Sequence, residues 1–400
     1  MSVVKNIKEI SKKELLEKIA ALDLMEYGLC EGRLIDILKV AEAESKEENK
    51  ELCVVAALNN ADTEGVLLEV LKKDTAKVLE GIGILAYALG TEKMTLQIPE
   101  YATDLCEEIK EAAKSAKVEI AVGLVNIRAN KGAAIIHIIT AKNLADAFDD
   151  NYEAGVYVSV GGNSVKKVSL DTKVSDIIDL SSAKAVLAGY RYYLPETIAE
   201  MTVAEAKITN GVLRVLGDKD CIVSDTEKKI TSSRAQSCGK CVFCREGLLQ
   251  LQYMQKEVTS GRGKEKYIDI TKEIGEAMRF STLCTMGQVS SEVALSAIEL
   301  FETEYTAHIK KKECPAGECF SSETVYIDPK LCTGCEDCVG VCPKDCIEGK
   351  ANFIHMIDEF DCDKCGKCID ECSEEAIIRT SGKVPKLPDK LTKVGRFKNH

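Results

Sequence analysis

The chain lacks several features that would place it in other classes of protein. No apolar run in its 400 residues approaches the roughly 18 residues that a membrane-spanning helix needs. The opening stretch, MSVVKNIKEISKKELL, does not have the pattern of a secretory signal peptide. The formal net charge of −12 argues against nucleic-acid binding. Tryptophan is also absent, which decides nothing. We therefore expect a cytoplasmic protein without a membrane span.

Cysteine, in contrast, is abundant. Nineteen cysteines are too many for chance, and a chain without a signal peptide is not expected to form a secreted disulfide framework. Hydrophobic residues make up 45% and charged residues 30% of the chain, as in an ordinary globular protein. The length allows about two to four domains. We therefore interpret most of the cysteines as reduced thiols that bind metal.

Two runs of four cysteines share the spacing C-x2-C-x2-C-x3-C. In bacterial ferredoxins with this spacing, the first three thiolates of a run ligate one [4Fe–4S] cluster and the fourth ligates the other cluster. Pro343 follows the first run, as in that pattern, whereas Ser373 takes its place after the second. A zinc ribbon or disulfides are the alternatives, which two complete copies of the spacing disfavour. The predicted ligands are Cys332, Cys335, Cys338 and Cys372 for ferredoxin cluster 1, and Cys362, Cys365, Cys368 and Cys342 for ferredoxin cluster 2.

A third set of thiols precedes the ferredoxin runs. Cys238, Cys241 and Cys244 repeat the C-x2-C-x2-C triplet, and Cys284 lies in a short polar turn between predicted helices. Cys284 can supply the fourth thiolate, so the sequence predicts a third [4Fe–4S] cluster, which we call the bundle cluster.

Hydrophobic patterns divide the chain into segments. Alternating strands and helices in the N-terminal part predict a partly parallel sheet. Ser11 is a possible N-cap, a helix is expected from about Thr75 to Leu89 with Gly90 as its C-cap, and residues 133–139 are expected to form a strand. Short strands around one short helix, expected over residues 174–180, then suggest a β-grasp domain, and long amphipathic stretches, among them residues 289–308, predict a helical bundle. The fold class is thus multidomain α/β plus α. The predicted segments are an α/β domain (1–150), a β-grasp domain (151–230), a helical bundle (231–312), a linker (313–322), a ferredoxin domain (323–380) and a basic, solvated tail (381–400).

The chain resembles the NADH-binding flavoprotein subunit of complex I and the beta subunit of NAD-dependent or electron-bifurcating iron-iron hydrogenases. Residues 236–245, QSCGKCVFCR, are similar to the ESCGxCxPCR segment of that family, and residues 281–284, STLC, are similar to its STxC segment. The resemblance covers most of the chain from about residue 150 onward and, more faintly, the N-terminal third. It implies that residues 151–230 form an SLBB-like (soluble-ligand-binding) β-grasp domain. It also implies an anaerobic oxidoreductase complex, in which hydrogenase-type members carry the ferredoxin extension.

The N-terminal third departs from this family where FMN would bind. The family uses a GRGGAGFPTG loop, in which glycines let backbone N–H groups approach the phosphate. The corresponding residues 27–39 keep little of it, the family's CGEETAL segment is missing, and its NADEGEPG loop survives only as residues 60–65, NADTEG. We interpret this part as a degenerate flavin domain without FMN; the alternative is that FMN binds through altered loops. The weak candidates for a vestigial FMN and NAD pocket are Gly32, Arg33, Asn60, Asp62 and Glu64.

A possible zinc site uses four of the remaining residues. Cys314 and Cys319 flank a Pro-Ala-Gly turn, His308 precedes them, and Cys221 completes a Cys3His set that suits tetrahedral zinc. Hydrogenase beta subunits have a similar CPAGxC linker, so the resemblance implies a structural zinc there. Unliganded thiols are the alternative.

The other cysteines and histidines receive structural interpretations. We expect Cys53 and Cys106 to be small buried hydrophobic residues. Cys346 is expected near ferredoxin cluster 2, and His137 and His355 are expected to be structural. Cys30 is left unassigned.

No nucleophile–base pair or carboxylate dyad stands out, so we expect no catalysis by the chain alone. The sequence predicts an iron–sulfur electron-transfer subunit of a cytoplasmic multi-subunit flavin-dependent oxidoreductase. It would relay electrons through three [4Fe–4S] clusters between a partner flavoprotein and an acceptor or donor, and would reach NAD(P)H through the partner. The alternatives are an FMN-containing NADH dehydrogenase subunit of an electron-bifurcating hydrogenase or transhydrogenase complex, and a scaffold with structural clusters.

Overall fold

A computed structural model describes residues 7, 9–29, 32–126, 130–159, 164–319, 324–359, 361–362, 364–380 and 384–397. Contacts between residues divide the chain into two units, residues 1–317 and 318–400. In the described ranges, no helix is both long and apolar enough to cross a membrane.

The first unit begins with a four-stranded parallel sheet, and the prediction of an α/β fold with parallel strands is therefore confirmed. Its strands are β1 (Cys53–Ala57), β2 (Met94–Ile98), β3 (Glu119–Val122) and β4 (Ala133–His137), in the order β3-β2-β1-β4. The connection from β3 to β4 crosses to the other side of β1. Since β2 and β3 lie on one side of β1 and β4 on the other, the carboxyl ends of β1 and β4 flank a topological switch point, where α/β proteins commonly bind ligands.

Among the described residues, six α-helices accompany this sheet: α1 (Lys12–Ala21), α2 (Leu34–Glu47), α3 (Leu68–Lys73), α4 (Thr75–Leu89), α5 (Asp104–Ala116) and α6 (Ile138–Phe148). The predicted Ser11 cap is present, because the Glu14 N–H donates to Ser11 Oγ at 3.2 Å. Gly90 ends α4 with a φ of 72°, as a glycine C-cap does. Helix α4 packs closely on α6, since a Cβ added to Gly81 would lie 1.8 Å from the carbonyl oxygen of Ala141.

The predicted strand over residues 133–139 was too long. Strand β4 ends at His137, and α6 begins at Ile138. His137 caps this helix, because its Nδ1 accepts a hydrogen bond from the Ile139 N–H at 3.1 Å. A continuous apolar run does not by itself separate a buried strand from a buried helix, and the capping histidine decides the boundary here.

Short antiparallel strands follow the parallel sheet. Strands β5 (Val156–Ser159) and β6 (Val165–Val168) pair with each other, and β7 (Ala185–Ala188), β8 (Arg191–Tyr193) and β9 (Leu213–Leu216) form a sheet in the order β8-β7-β9. A short helix α7 spans Pro195–Ala199. The helix predicted over residues 174–180 is only a 3-10 turn, Val174–Asp176, since Asp179 Oδ1 accepts the Ser181 N–H at 2.9 Å in a local turn that competes with a helix.

The predicted helical bundle closes the first unit. It contains α8 (Ile222–Ala235), α9 (Val242–Thr259), α10 (Lys266–Ser281), α11 (Thr285–Val289) and α12 (Glu292–Thr306), and a π-helical turn (Ala307–Lys311) follows. Helix α8 contacts α9 and α12, and α10 contacts both α9 and α12. The predicted domain boundary after residue 230 falls inside α8. The amphipathic stretch predicted over residues 289–308 is not one regular helix, because α12 has a kink at Phe301, where φ is −127° and ψ is 33°, and the π-helical turn begins at Ala307.

The second unit repeats one backbone pattern twice. Strand β10 (Thr324–Ile327) pairs with β13 (Ile377–Thr380), and β11 (Ile347–Glu348) pairs with β12 (Met356–Ile357). Helices α13 (Asp337–Gly340) and α14 (Lys367–Glu371) begin two residues after the second cysteine of each run. Positive φ angles recur at equivalent positions thirty residues apart, namely Gly334 and Lys364, Glu336 and Gly366, and Asp345 and Glu375. The two cysteine runs therefore fold in the same way.

Candidate metal centres

The four cysteines predicted for the bundle cluster come together at two helix N-termini. Cys241 is the residue before α9, Cys244 lies in the first turn of that helix, and Cys284 is the residue before α11. Burial raises the pKa of the Cys244 thiol, and the negative charges of Cys284, Cys238 and Cys241 raise it further, against a hydrogen bond from Ser237 that lowers it. The thiols of Cys238, Cys241 and Cys284 therefore lie near enough to Cys244 to affect its ionisation.

The backbone around these cysteines suits an anionic metal centre. Gly239 adopts a φ of 71°, and its N–H points to Ser237 Oγ at 3.4 Å. Arg245 Nη1 donates to the Gly239 carbonyl at 3.1 Å and fixes the loop between Cys238 and Cys241. Because helix N-termini carry partial positive charge, the start of α9 favours the thiolates and the negative charge that they confer on a cluster.

The ligands predicted for ferredoxin cluster 1 line one cavity of the second unit. Cys332, Cys335, Cys338 and Cys372 all belong to its wall. Burial raises the pKa of Cys338 to about 12, and the charges of Cys332 and Cys335 contribute. A thiol with a raised pKa ionises when a bound cation stabilises the thiolate, as happens at metal-binding cysteines.

A second cavity of this unit is lined by the ligands predicted for ferredoxin cluster 2, Cys342, Cys362, Cys365 and Cys368. Cys346 belongs to the same wall, and its sulfur lies 3.4 Å from that of Cys342. Burial and the hydrogen bond with Cys342 raise the pKa of Cys346 to about 12. The structure thus places Cys346 where the sequence predicts it, next to the ligands of cluster 2.

His355 has a closer relation to a predicted ligand than the sequence indicated. Its Nδ1 lies 4.0 Å from the sulfur of Cys332, and its side chain lines the cavity of cluster 1. The ring is buried against Gly349, where a Cβ would come within 2.1 Å of it. An N–H group facing a ligand sulfur is one of the means by which proteins tune cluster potentials. No sequence signal marked this contact, since the two residues belong to no common motif.

The predicted zinc ligands also come together. One ligand atom each from Cys221, His308, Cys314 and Cys319 lies within 4.8 Å of all the others. His308 Nε2 is 3.3 Å from the Cys221 sulfur, and its Nδ1 is 2.7 Å from the carbonyl oxygen of Glu304. Zinc-binding histidines usually make such a second hydrogen bond, which here leaves Nε2 for the metal. His308 belongs to the π-helical turn, a feature that often marks functional sites.

The electrostatics of His308 reflect the neighbouring thiols. Burial disfavours the imidazolium, but the hydrogen bonds to Cys221 and to the Glu304 carbonyl raise the pKa of His308 to about 9. The donor set therefore attracts a cation, and three thiols with one imidazole are a typical structural zinc set.

A cavity of about 100 Å³ lies at the switch point of the parallel sheet. Its wall includes the ends of β1 and β4, together with Glu26, Tyr27 and the bundle-cluster candidate Cys284. Asn59 Nδ2 donates to Thr285 Oγ1 at 2.8 Å and links the sheet to the residue after Cys284. We call this space the switch-point cavity.

The five weak candidates for a flavin and NAD pocket do not converge. Asn60 lines the switch-point cavity, and Asp62 is buried beside it, where it accepts a hydrogen bond from the Tyr190 hydroxyl. Glu64 instead pairs with Lys229 of α8 at 2.6 Å. Gly32 and Arg33 line a separate surface groove.

Sequence reasoning missed three residues of the switch-point cavity: Glu26, Tyr27 and His137. His137 is buried, as a core histidine would be, but it also forms part of the cavity wall. Its position at the end of a parallel strand was a usable signal, whereas nothing in the sequence marked Glu26. Cys30, which the sequence left unassigned, and Asp363, an acidic residue of the second cysteine run, lie outside the described residues.

Two family models match the chain. Residues 227–308 match the NADH-ubiquinone oxidoreductase-F iron-sulfur binding region, and residues 324–377 match a 4Fe-4S dicluster domain. Both matches coincide with the cysteine sets described above.

Curated relatives cover part of the chain. The NADP-reducing hydrogenase subunit HndC of Solidesulfovibrio fructosivorans is 37% identical over 170 residues, which are 42% of this chain and 35% of that protein. The mitochondrial 51 kDa subunit of NADH-ubiquinone oxidoreductase is 26% identical both in Neurospora crassa and in Aspergillus niger. The match covers 30% of this chain in each case, and 26% and 25% of those two proteins. The chain thus matches about a third or less of the length of each relative.

A solved structure shares the fold. The crystal structure of an air-oxidized NAD+-reducing [NiFe]-hydrogenase matches with a TM-score of 0.61 and 16% identity, over 75% of this chain and 63% of the matched chain. Together, these comparisons confirm the predicted resemblance to complex I flavoprotein subunits and hydrogenase subunits, and they confirm the presence of [4Fe–4S]-binding regions.

Proposed function

We propose that this chain is an electron-transfer subunit of a cytoplasmic, multi-subunit, flavin-dependent oxidoreductase. It relays electrons through three [4Fe–4S] clusters between a partner flavoprotein and an acceptor or donor. The observation that carries the proposal is the placement of twelve cysteines in three groups of four, one in the bundle and two in the ferredoxin unit. The iron–sulfur names of both matching family models support it.

The residues of the chain hold these clusters and set their potentials. When bound, each cluster supplies one-electron transfer. Thiolates from different turns fix the ligand geometry, and the repeated positive-φ positions form the backbone bends in which N–H groups can face an anionic centre. Negative charge near a cluster favours its oxidised state. The acidic side chains close to the ferredoxin cysteines are expected to lower the two potentials; they are Glu336, Asp337, Asp361, Asp370 and Glu371.

Several observations support the absence of FMN from this chain. The switch-point cavity, at about 100 Å³, is smaller than the roughly 300–1,000 Å³ of most ligand pockets. Arg33, one of two basic residues in 27–39 that resemble the family's loop, lies on the surface and pairs with Asp36 at 2.8 Å. A phosphate needs clustered N–H donors or basic side chains, and among the described residues the wall of the switch-point cavity contains no lysine or arginine. Chemistry on NAD(P)H therefore belongs to the partner.

A partner has a suitable surface at the bundle cluster. Val242 and Phe243 follow Cys241, and Phe280 and Leu283 precede Cys284. Each of these four large apolar side chains is at least half exposed. Exposed apolar side chains grouped around a redox centre favour contact with another protein, which can bring its own cofactor near.

The zinc site has a structural role in this proposal. Cys221, His308, Cys314 and Cys319 supply four protein ligands, and a site closed in this way leaves no position for substrate. Bound zinc would fix the end of the bundle to the Cys314–Cys319 turn.

One observation favours the second candidate, an FMN-containing NADH dehydrogenase subunit of an electron-bifurcating hydrogenase or transhydrogenase. The switch-point cavity lies where α/β proteins bind ligands, and it reaches Cys284. A flavin there could pass electrons directly to the bundle cluster.

An experiment on the chain purified alone under anaerobic conditions distinguishes the two functions. For the relay, we expect a brown protein that dithionite reduces, while NADH reduces neither the protein nor an added viologen dye. NADH:viologen activity would favour the second candidate. Clusters that dithionite fails to reduce would contradict both and favour a scaffold.

A further inference from the structure

Two buried polar atoms at the switch-point cavity have no hydrogen-bond partner among the described residues. They are Oε2 of Glu26 and Nε2 of His137. Both residues belong to the wall that also contains Cys284. Buried polar groups are nearly always paired, so two unpaired groups at one cavity call for an explanation. By volume, the cavity has room for a few water molecules at about 30 Å³ each.

The structure holds the Glu26 carboxyl group in one orientation. Its Oε1 accepts the His137 N–H at 2.5 Å. The next residue, Tyr27, is also held to the start of α6, because its N–H donates to Thr140 Oγ1 at 2.8 Å. Glu26 Oε1 is thus fixed by the backbone at the end of β4, and Oε2 remains able to gain a proton.

The surroundings of Glu26 make the proton affinity of its carboxyl group sensitive to added charge. Burial raises the pKa of Glu26 to about 7, although the hydrogen bonds from Thr140 and His137 lower it. No charged side chain is among the causes of this shift. A nearby negative charge would favour the protonated form further.

The other titratable groups around the cavity form a separate set. His137 Nε2 faces Asp62 Oδ2 at 3.6 Å, and Asp62 accepts from the Tyr190 hydroxyl. The Tyr27 ring lies 5.0 Å from the His137 ring. Burial holds the pKa of Tyr27 and of Tyr190 well above the usual value, so both remain protonated. Cys284 faces the cavity from the bundle.

We propose that Glu26 is a proton-binding site coupled to the bundle cluster. This inference rests on the proposed function, since it requires a cluster at Cys284. One electron enters from the redox partner and one proton enters from water onto Glu26 Oε2, where an O–H bond forms. When the electron leaves, the same O–H bond breaks and the proton returns to water. Electron and proton move together because the negative charge of the reduced centre raises the proton affinity of a carboxylate on the same cavity wall.

The coupling predicts a pH-dependent potential for the bundle cluster. Above the pKa that Glu26 has with the oxidised cluster, and below the pKa that it has with the reduced cluster, the potential falls as pH rises. The limiting slope is about 59 mV for each tenfold fall in proton concentration. Outside this window the potential is independent of pH.

The test is a redox titration of the full chain with its clusters, followed by electron paramagnetic resonance at several pH values. The signal of the bundle cluster is identified by its loss in Cys241→Ser. We expect a sloping potential in the wild type and a flat one in Glu26→Gln, which keeps the shape but does not ionise. Glu80→Gln is the matched control, since Glu80 also has a buried carboxyl oxygen but lies on α4 outside the cavity wall. It is expected to keep the slope.

A flat wild-type potential, or a slope retained in Glu26→Gln, would overturn the proposal while leaving the relay intact. A chain that holds only about eight irons would instead refute the bundle cluster, and this inference with it. If Glu26→Gln does not fold, an infrared measurement on the wild type still tests the proposal. Its reduction must produce the infrared carbonyl band of a protonated carboxyl group, with a shift in heavy water, and a difference spectrum without that band refutes the proposal.

Discussion

Replacement of Cys221 by serine separates zinc binding from helix capping. The Cys221 sulfur is one of the four zinc ligand candidates, and it also accepts the Ser224 N–H at 3.4 Å as the N-cap of α8. Serine is a good N-cap residue, so Cys221→Ser keeps the cap and removes a thiolate. A loss of stability in this variant therefore reports on the metal.

The size of this effect follows from linkage. Zinc present at about 1,000 times its dissociation constant stabilises the folded chain by about 4 kcal/mol. A hundredfold loss of affinity, which is a modest value for a lost ligand, removes about 2.7 kcal/mol of that. At roughly 2 °C per kcal/mol, the expected slope for a large unit, the melting temperature of the first unit falls by about 5 °C. Without zinc, the wild type and the variant are expected to have the same melting temperature.

The assay combines metal analysis with thermal unfolding at buffered zinc concentrations. Cys106→Ser is the matched control, because Cys106 is partly buried on α5 and lies outside the zinc ligand set. We expect one zinc per wild-type and control chain, less in Cys221→Ser, and the same iron content in all three. Wild-type protein that binds no zinc, or a variant with unchanged zinc affinity, would refute the site.

Three further predictions concern single side chains. His355→Leu removes the nitrogen near the Cys332 sulfur. It is expected to lower the reduction potential of ferredoxin cluster 1 by on the order of 50 mV, the equivalent of one hydrogen bond, without changing the iron content. An unchanged potential in a redox titration would contradict this. Because burial raises the pKa of Glu26 from 4.5 to about 7, the contribution of this carboxyl group to the free energy of unfolding is lost as pH rises through that interval. Denaturant titrations at several pH values should show a free energy of unfolding that depends less on pH in Glu26→Gln than in the wild type. The same pH dependence in both proteins would contradict the raised pKa. Gly81→Ala places a methyl group against the Ala141 carbonyl and should lower the free energy of unfolding by about 1–3 kcal/mol or more, so wild-type stability in urea would contradict the close packing of α4 on α6.

Local signals in the sequence predicted much of this molecule. The ferredoxin spacing predicted which cysteines share each cavity, because three ligands of a cubane lie a few residues apart and the fourth has a fixed place in the other run. The apolar period and Gly90 predicted α4 with its observed ends, since a glycine C-cap acts within one helical turn. These features depend on neighbours in the chain.

The remaining features depend on contacts between distant residues. The Glu26 carboxyl group accepts the His137 N–H across 111 residues of chain, and no local pattern predicts such a pair. Arg33 looked like a remnant of a flavin loop, but it pairs with Asp36 one helical turn away. In the sequence, residues 27–39 keep little of the family's glycine loop, whereas the switch-point cavity was visible only in the structure.

The most direct measurement of the central claim is the iron, sulfide and acid-released flavin content of the chain purified alone without oxygen. Three cysteine groups with four irons each predict about twelve irons and as many sulfides per chain, with no stoichiometric FMN. About eight irons after full reconstitution would remove the bundle cluster from the account. One FMN per chain would contradict the relay and favour the NADH dehydrogenase subunit.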